Sequence, residues 1–322
     1  MGVDALGLAA PGVGVPGAEL VSVPVVGSLF SVIGPRLCRA SRLPDRIPGS
    51  IEPGTHVLRL LNQVTGCQVV TSGWTSVASV FTAAALVPSP PLLVPQLSGD
   101  SAPAGEVRAA VLQVVQELAA TAMRWIAVGA DTEKVLETAG TAGVGRGEVG
   151  TFAGFGADVR TRLDGDARGP VNPELPLTAL VAGWLREQAG PDVSVDVHLI
   201  STNASVDECR TLGARLRELL DAGDEPVGLL VLADGASTLT PKAPGSFDER
   251  AAPLQAVIDA ALEQGDRAAL LDLDPALCDE IGASGRAAWQ VLASVFTEQP
   301  DAVVHYSSAP LGVGYHVGMW RR

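Results

Sequence analysis

The sequence predicts an α/β protein with a central, mostly parallel sheet, helices on both faces and an antiparallel strand pair at the C-terminus. Three observations carry this. At 322 residues and 47% hydrophobic, the chain can bury one large core or two modest ones. From residue 80 onward, strand-like apolar runs alternate with stretches of helical period, the pattern of a sheet covered on both faces. After the last of those helices come two apolar stretches in succession, "AVVHYSSA" and "LGVGYHVGMW", which read as a hairpin.

The elements follow in order. Strand "FTAAALV" runs into the proline-stiffened loop Pro88–Pro95, and a helix "PAGEVRAAVLQVVQELAATA" follows. Val107, Val111, Val114, Val115 and Leu118 share one face of that helix. Strand "RWIAVGA" precedes a glycine-rich passage over 140–156, expected as a loop leading into strand "GTFAGFG". Helix "LPLTALVAGWLREQA" leads to strand "VSVDVHLIS", and helix "SVDECRTLGARLRELLDAG" to strand "VGLLVLAD". Helices are expected over 247–263 and 274–296 before the terminal pair.

Residues 1–79 differ from the rest. They carry a net charge of +1 against −15 for the remainder, are rich in Gly, Pro and Val, and show no sustained period. "LVSVPVVGSLFSVIG" has the composition of a strand pair, but Pro24 and Gly27 are expected to break it. The reading is a poorly ordered extension, upstream of a true start near Val80, ahead of one domain over 80–322.

Composition excludes several functions. A net charge of −14 leaves no basic stripe for nucleic acid and disfavours an anionic membrane surface. Residues 60–99 hold no charged side chain, yet Asn62, Gln63, Gln68 and four prolines interrupt them before any membrane-spanning length is reached. Met1–Ala18 lacks the basic start of a secretory signal, so a cytoplasmic protein is expected. Cys38, Cys67, Cys209 and Cys278 are far apart, with no CxxC pair, and read as buried free thiols.

Ligands of α/β sheets lie beyond the carboxyl ends of the strands. Three loops leave such ends: Pro88–Pro95 with Ser89 at its centre, Gly129–Asp131, and Ala233–Lys242. The last gathers Asp234, Ser237, Thr238, Thr240 and Lys242. The pocket candidates are therefore Ser89, Asp131, Asp234, Ser237, Thr238 and Lys242. Arg286 joins them because it stands three residues before Trp289 in "GRAAWQVLA". With Trp289 buried, Arg286 is expected to face the cleft or pair with Asp234 or Glu280, and so select an anionic ligand. The single GxGxxG match, Gly145–Gly150, does not open a helix directly after a strand, and no GxSxG elbow exists.

Only four histidines are present: His56, His198, His305 and His316. A mononuclear Fe(II) site needs two imidazoles and a carboxylate converging on one face. Residues 80–197 contain no histidine.

As a set, "AAALVPSPPLLVPQLSG", "GTFAGFG", "LPLTALVAGWL", "ADGASTLTPKAPGSFDERAAPLQAVIDAAL", "GRAAWQVLA" and "APLGVGYHVGMW" resemble an actinobacterial branch of the class III extradiol ring-cleavage dioxygenases, subunit-B-like. The resemblance spans residues 80–322. It implies a fold whose active members cleave catechol-type rings with O₂ at Fe(II), held by two His and one Glu, with a further His as acid/base. Carried onto this chain, the first ligand falls at Ser89, in a loop that usually reads His-x-Pro. The second falls at Asp131 or Thr132, and the acid/base near Ser237 or Thr238. Glu280 is the candidate carboxylate. None of the expected histidines is present.

The expectation is thus a dioxygenase-like protein with a degenerate metal site, a pseudoenzyme or small-molecule binder with no cofactor. One alternative is an active dioxygenase with an unconventional Fe(II) site drawn from Asp131, Asp234, His198 or Glu280, acting on a catechol-type substrate. Another is a non-catalytic subunit of a multi-chain enzyme. The expected partners are an anionic or aromatic small molecule and a second copy or partner subunit.

Overall fold

The computed structural model describes residues 21–25, 28–32, 81–131 and 141–322. The chain divides into two compact units, residues 1–76 and 77–322.

In the first unit, β1 (Val21–Val25) and β2 (Ser28–Val32) pair antiparallel, with Pro24 opposite Leu29. The expected break at Pro24 is therefore corrected. In a two-stranded ribbon each strand has a free edge, where a residue without an N–H is tolerated. The rest of the predicted extension, with Cys38, His56, Cys67 and the expected start near Val80, lies outside the described residues.

The second unit is built on seven strands: β3 (Phe81–Val87), β4 (Arg124–Asp131), β5 (Thr141–Val144), β9 (Ser194–Ser201), β10 (Val227–Leu232), β11 (Asp301–Ser308) and β12 (Tyr315–Arg321). Their order is β11-β12-β3-β10-β4-β9-β5. The central four, β3, β10, β4 and β9, run parallel. The terminal hairpin pairs as expected and joins antiparallel to β3. At the other edge β5 joins antiparallel to β9. The sheet is mixed, a parallel block between antiparallel edges, rather than mostly parallel. The sequence reading missed β5 because its four residues, "TAGV", carry too few apolar side chains to show a period.

Three short strands, β6 (Val149–Thr151), β7 (Arg160–Arg162) and β8 (Val171–Asn172), form a separate small sheet. Only the first three residues after Glu148 are strand; Phe152–Phe155 turn into a 3₁₀ helix, so "GTFAGFG" is not one strand.

Helices cover both faces. On one side lie α1 (Ala102–Thr121) and α2 (Leu177–Ala189), and α1 buries Val107, Val111, Val114, Val115 and Leu118, the face read from its period. On the other side lie α3 (Val206–Leu220), α4 (Ala251–Gln264), α5 (Arg267–Leu271), α6 (Pro275–Glu280) and α7 (Arg286–Val295). Strand β10 serves both layers: Val227, Leu229 and Val231 face one, Leu230 and Leu232 the other. The few aromatics are concentrated where they contribute most. Phe296 packs edge-on against both Phe81 (5.2 Å) and Trp320 (5.5 Å). Cys209 and Cys278 are buried free thiols, pushed up to about 11 by desolvation. No helix among the described residues is long and apolar enough to cross a membrane.

The helix expected over 274–296 is two helices. The break falls at Ile281–Gly285, where Gly282 takes φ 67°. A Cβ at Gly282 would sit 2.1 Å from the Ser237 hydroxyl, and one at Gly285 would sit 2.7 Å from the Asp234 carbonyl oxygen. Only glycines let this bend approach the loop after β10 so closely.

Candidate functional site

The carboxyl ends of β3 and β10 lie side by side, and the ladder runs one residue past β10, with Ala233 N–H donating to Val87 O (3.0 Å). The loops they open then meet through side chains. Ser89 donates its backbone N–H to Asp234 Oδ1 (3.1 Å) and its hydroxyl to Asp234 Oδ2 (2.9 Å). Pro88, Pro90 and Pro91 flank Ser89 and restrict φ in that loop.

The Asp234 backbone is held as firmly as its side chain. Its carbonyl accepts from Gly285 N–H (2.8 Å), and Gly235 N–H donates to Gly314 O (2.8 Å). The Gln255 side chain locks the next residue, accepting from Ala236 N–H (2.8 Å) and donating to Asp259 Oδ1 (2.8 Å). A Cβ on Gly235 or Gly314 would strike that Gln255 amide within 2.4 Å.

Asp234 keeps some exposed surface, yet desolvation of its carboxyl raises its pKa from 3.8 to about 6, against the two hydrogen bonds from Ser89. Tyr315 is buried nearby. Its phenol is pushed well above the usual tyrosine range by burial first, then by the negative charge of Asp234. The edge thus presents a carboxyl that titrates near neutrality, a serine hydroxyl bound to it and a phenol that stays protonated. No cationic side chain pairs with Asp234 among the described residues.

Of the residues singled out in the sequence, Ser89 and Asp234 come together. Ser237 and Thr238 lie on the same loop but face the α6–α7 bend: Ser237 N–H and Thr238 Oγ1 both donate to Ile281 O. Lys242 is exposed. Asp131 lines a different cleft, of about 260 Å³, with Glu148, Asn172, Glu174 and Leu199.

Arg286 departs from expectation. It is 2% exposed and its guanidinium donates to Ala204 O (2.6 Å), Gln290 Oε1 (2.9 Å) and Thr202 O. It ties α7 to the loop after β9 and faces neither a cleft nor an acid. The three-residue spacing from Trp289, itself 2% exposed, did put both on one helix face, and that face is core. Glu280 is held elsewhere, paired with Arg250 Nη1 at 2.5 Å.

The histidines do not converge. His198 is half-buried on β9, its pKa lowered by desolvation and then by Arg215. His305 Nε2 lies 3.5 Å from Glu117 Oε1. His316 is 4% exposed, pushed down to about 4 by burial alone. No group of three or more His, Cys, Asp and Glu is placed to hold a metal ion among the described residues. An Fe(II) site of two imidazoles and a carboxylate, as the resemblance implies, does not fit these side chains. Ser89, where the resemblance would put the first ligand, directs its hydroxyl to Asp234.

Sequence reading missed Gln255, Tyr315 and the glycines at 235, 282, 285 and 314. The signal for the glycines was present, in "DG", "IGASG" and "GVG", but their partners are distant in sequence.

No family model and no curated protein matches the chain. Among solved structures it is similar to an uncharacterized protein, JW3007, from Escherichia coli K12, at 12% identity and a TM-score of 0.44, covering 75% of this chain and 100% of that one. At that distance the likeness says nothing of function.

Proposed function

We propose that residues 80–322 are a class III extradiol dioxygenase-like domain that has lost its iron site and binds a small molecule at the carboxyl edge of β3 and β10. One observation carries this reading: Ser89, where the resemblance places a metal-binding histidine, spends both its N–H and its hydroxyl on Asp234. A hydroxyl so engaged is a poor ligand for Fe(II), whereas a hydrogen-bonded Ser–Asp pair at a strand-end edge is the kind of polar group that orients a ligand. Because Arg286 is turned into the core, the charge offered there is the Asp234 carboxyl. The ligand class is therefore a compound with hydrogen-bond donors or a cationic amine, the aromatic catechol type included. The protein works in the cytoplasm, where its net charge of −14 keeps it soluble.

The test is a thermal-shift screen of aromatic amines, catechols and aromatic carboxylates against the wild type and Asp234→Asn. Amines or catechols should stabilise the wild type and lose that effect in the variant. Stabilisation by carboxylates alone, or equal stabilisation of both proteins, contradicts the reading.

A further inference from the structure

The polar groups at the carboxyl edge form one row across three strands. Leu232 of β10 lies opposite Val87 of β3, and at that register Asp234 falls opposite Ser89, to which it is hydrogen-bonded. On its other side β3 runs beside β12, with Gly318 opposite Leu86. Continued at the same register, that ladder sets Tyr315 opposite Ser89. Val87, Leu232 and Tyr315 all face the α1–α2 layer, and by strand alternation Ser89 and Asp234 share that face. Two backbone bonds clamp the start of β12 to the Asp234 loop: Gly235 N–H donates to Gly314 O (2.8 Å) and Gly314 N–H to Ala236 O (3.0 Å). Ser89 thus stands between a carboxyl and a phenol, close enough together for the charge of Asp234 to act on Tyr315.

Both groups keep unused hydrogen-bonding capacity. An ionised carboxylate offers about four acceptor positions, and Ser89 fills two of them. Ser89 and Asp234 are half-buried, so the pair is reached from outside. Tyr315 is 3% exposed, and its hydroxyl makes no hydrogen bond among the described residues, to Asp234 or to any other group. That oxygen is not shut off, unlike the unpartnered Nδ1 of His316. A phenol placed in this way is completed by an acceptor that a ligand brings. The Gln255 amide and the close-packed glycines fix the loop beneath, so neither group needs to reorganise when a ligand arrives.

We infer, on the reading of this edge as a ligand site, that it is a proton-transfer centre for enolisable aryl ketones, with Asp234 as the base and Tyr315 as the donor to the carbonyl oxygen. Asp234 takes a proton from the carbon beside the carbonyl. The C–H electron pair becomes the C=C bond, and the carbonyl π pair moves onto oxygen, where the Tyr315 O–H holds the enolate. The same proton then returns to oxygen, giving the enol, or to carbon, restoring the ketone. Nothing is oxidised or reduced, and no further reactant is needed. Desolvation raises the Asp234 pKa to about 6, which leaves it ionised at neutral pH and close to the value at which a base works best. Tyr315 stays protonated and so acts as a donor only. With no cation paired to Asp234 among the described residues, a neutral ketone suits the site better than a keto acid.

The test uses 2-tetralone, a neutral aryl ketone, in D₂O at about pH 7.5, where Asp234 is ionised. Proton NMR follows loss of the hydrogens beside the carbonyl, and saturation transfer from the protein reports binding in the same sample. The wild type should accelerate exchange over buffer and saturate with ketone. Asp234→Asn should lower kcat for exchange about 100-fold, the weight of a general base. Tyr315→Phe keeps the buried ring and should lower it about 100-fold through loss of one oxyanion donor. In both variants saturation transfer should show the ketone still bound. A wild type that binds 2-tetralone but exchanges it at the buffer rate overturns the proton-transfer centre and leaves the ligand site standing. Either variant exchanging as fast as the wild type overturns it as well. A wild type that neither binds nor exchanges the ketone overturns it together with the aromatic ligand class given to this edge.

Discussion

Asp234 pays for its position with a raised pKa, and the sign of that shift makes a test. Its folded pKa of about 6 lies above its ordinary 3.8, so between those values the folded protein holds a proton that the unfolded chain has released. Stability from this group is therefore present below about pH 4 and is lost as pH rises through about 6. Asp234→Asn removes the charge and keeps an acceptor for Ser89. Its melting temperature should match the wild type near pH 3.5, below the unfolded value, and exceed it by several degrees at pH 7.5, on the scale of about 1–3 kcal/mol for a desolvated polar group. A difference between the two proteins that does not change with pH contradicts the raised pKa. At this scale the sequence was half legible. Ser89 and Asp234 stood out because each follows a strand end, but their direct pairing needed the strand order, which places β10 beside β3 across 145 residues.

At the scale of elements, the bend between α6 and α7 and the loop after β9 decide what faces the carboxyl edge. The helical period over 274–296 was readable, but its interruption at "IGASG" was overlooked: Gly282 takes φ 67°, and the two glycines admit a close approach to Ser237 and Asp234 that only the fold reveals. The same contact network turns Arg286 inward. With the guanidinium bound to Thr202 O, Ala204 O and Gln290, Arg286→Ala leaves two loop carbonyls and an amide oxygen without their donor. We expect a loss of about 2–4 kcal/mol, well beyond a surface substitution, seen as a lower urea midpoint at unchanged slope. A midpoint within error of the wild type would mean that Arg286 is not the strut described here.

Over the whole molecule, the alternation of apolar runs and amphipathic stretches made the α/β layering legible, because each period reports burial on a face. The antiparallel edge at β5 and the sheet's mixed character were not legible, since a four-residue strand rich in small residues carries no such signal. The same layering sets a desolvated carboxyl at the β3–β10 edge and a groove of mixed charge, with Arg124 and Asp196, at the β9–β5 flank. Neither place gathers the imidazoles that hold Fe(II). The proposal rests on Ser89, paired with Asp234, occupying the place that the dioxygenase resemblance gives to a metal ligand. Its most direct test is the iron content of the protein after anaerobic reconstitution with Fe(II) and gel filtration. The account predicts well under one Fe per chain and no O₂ uptake with catechols; stoichiometric, retained iron with catechol-dependent O₂ uptake would contradict it.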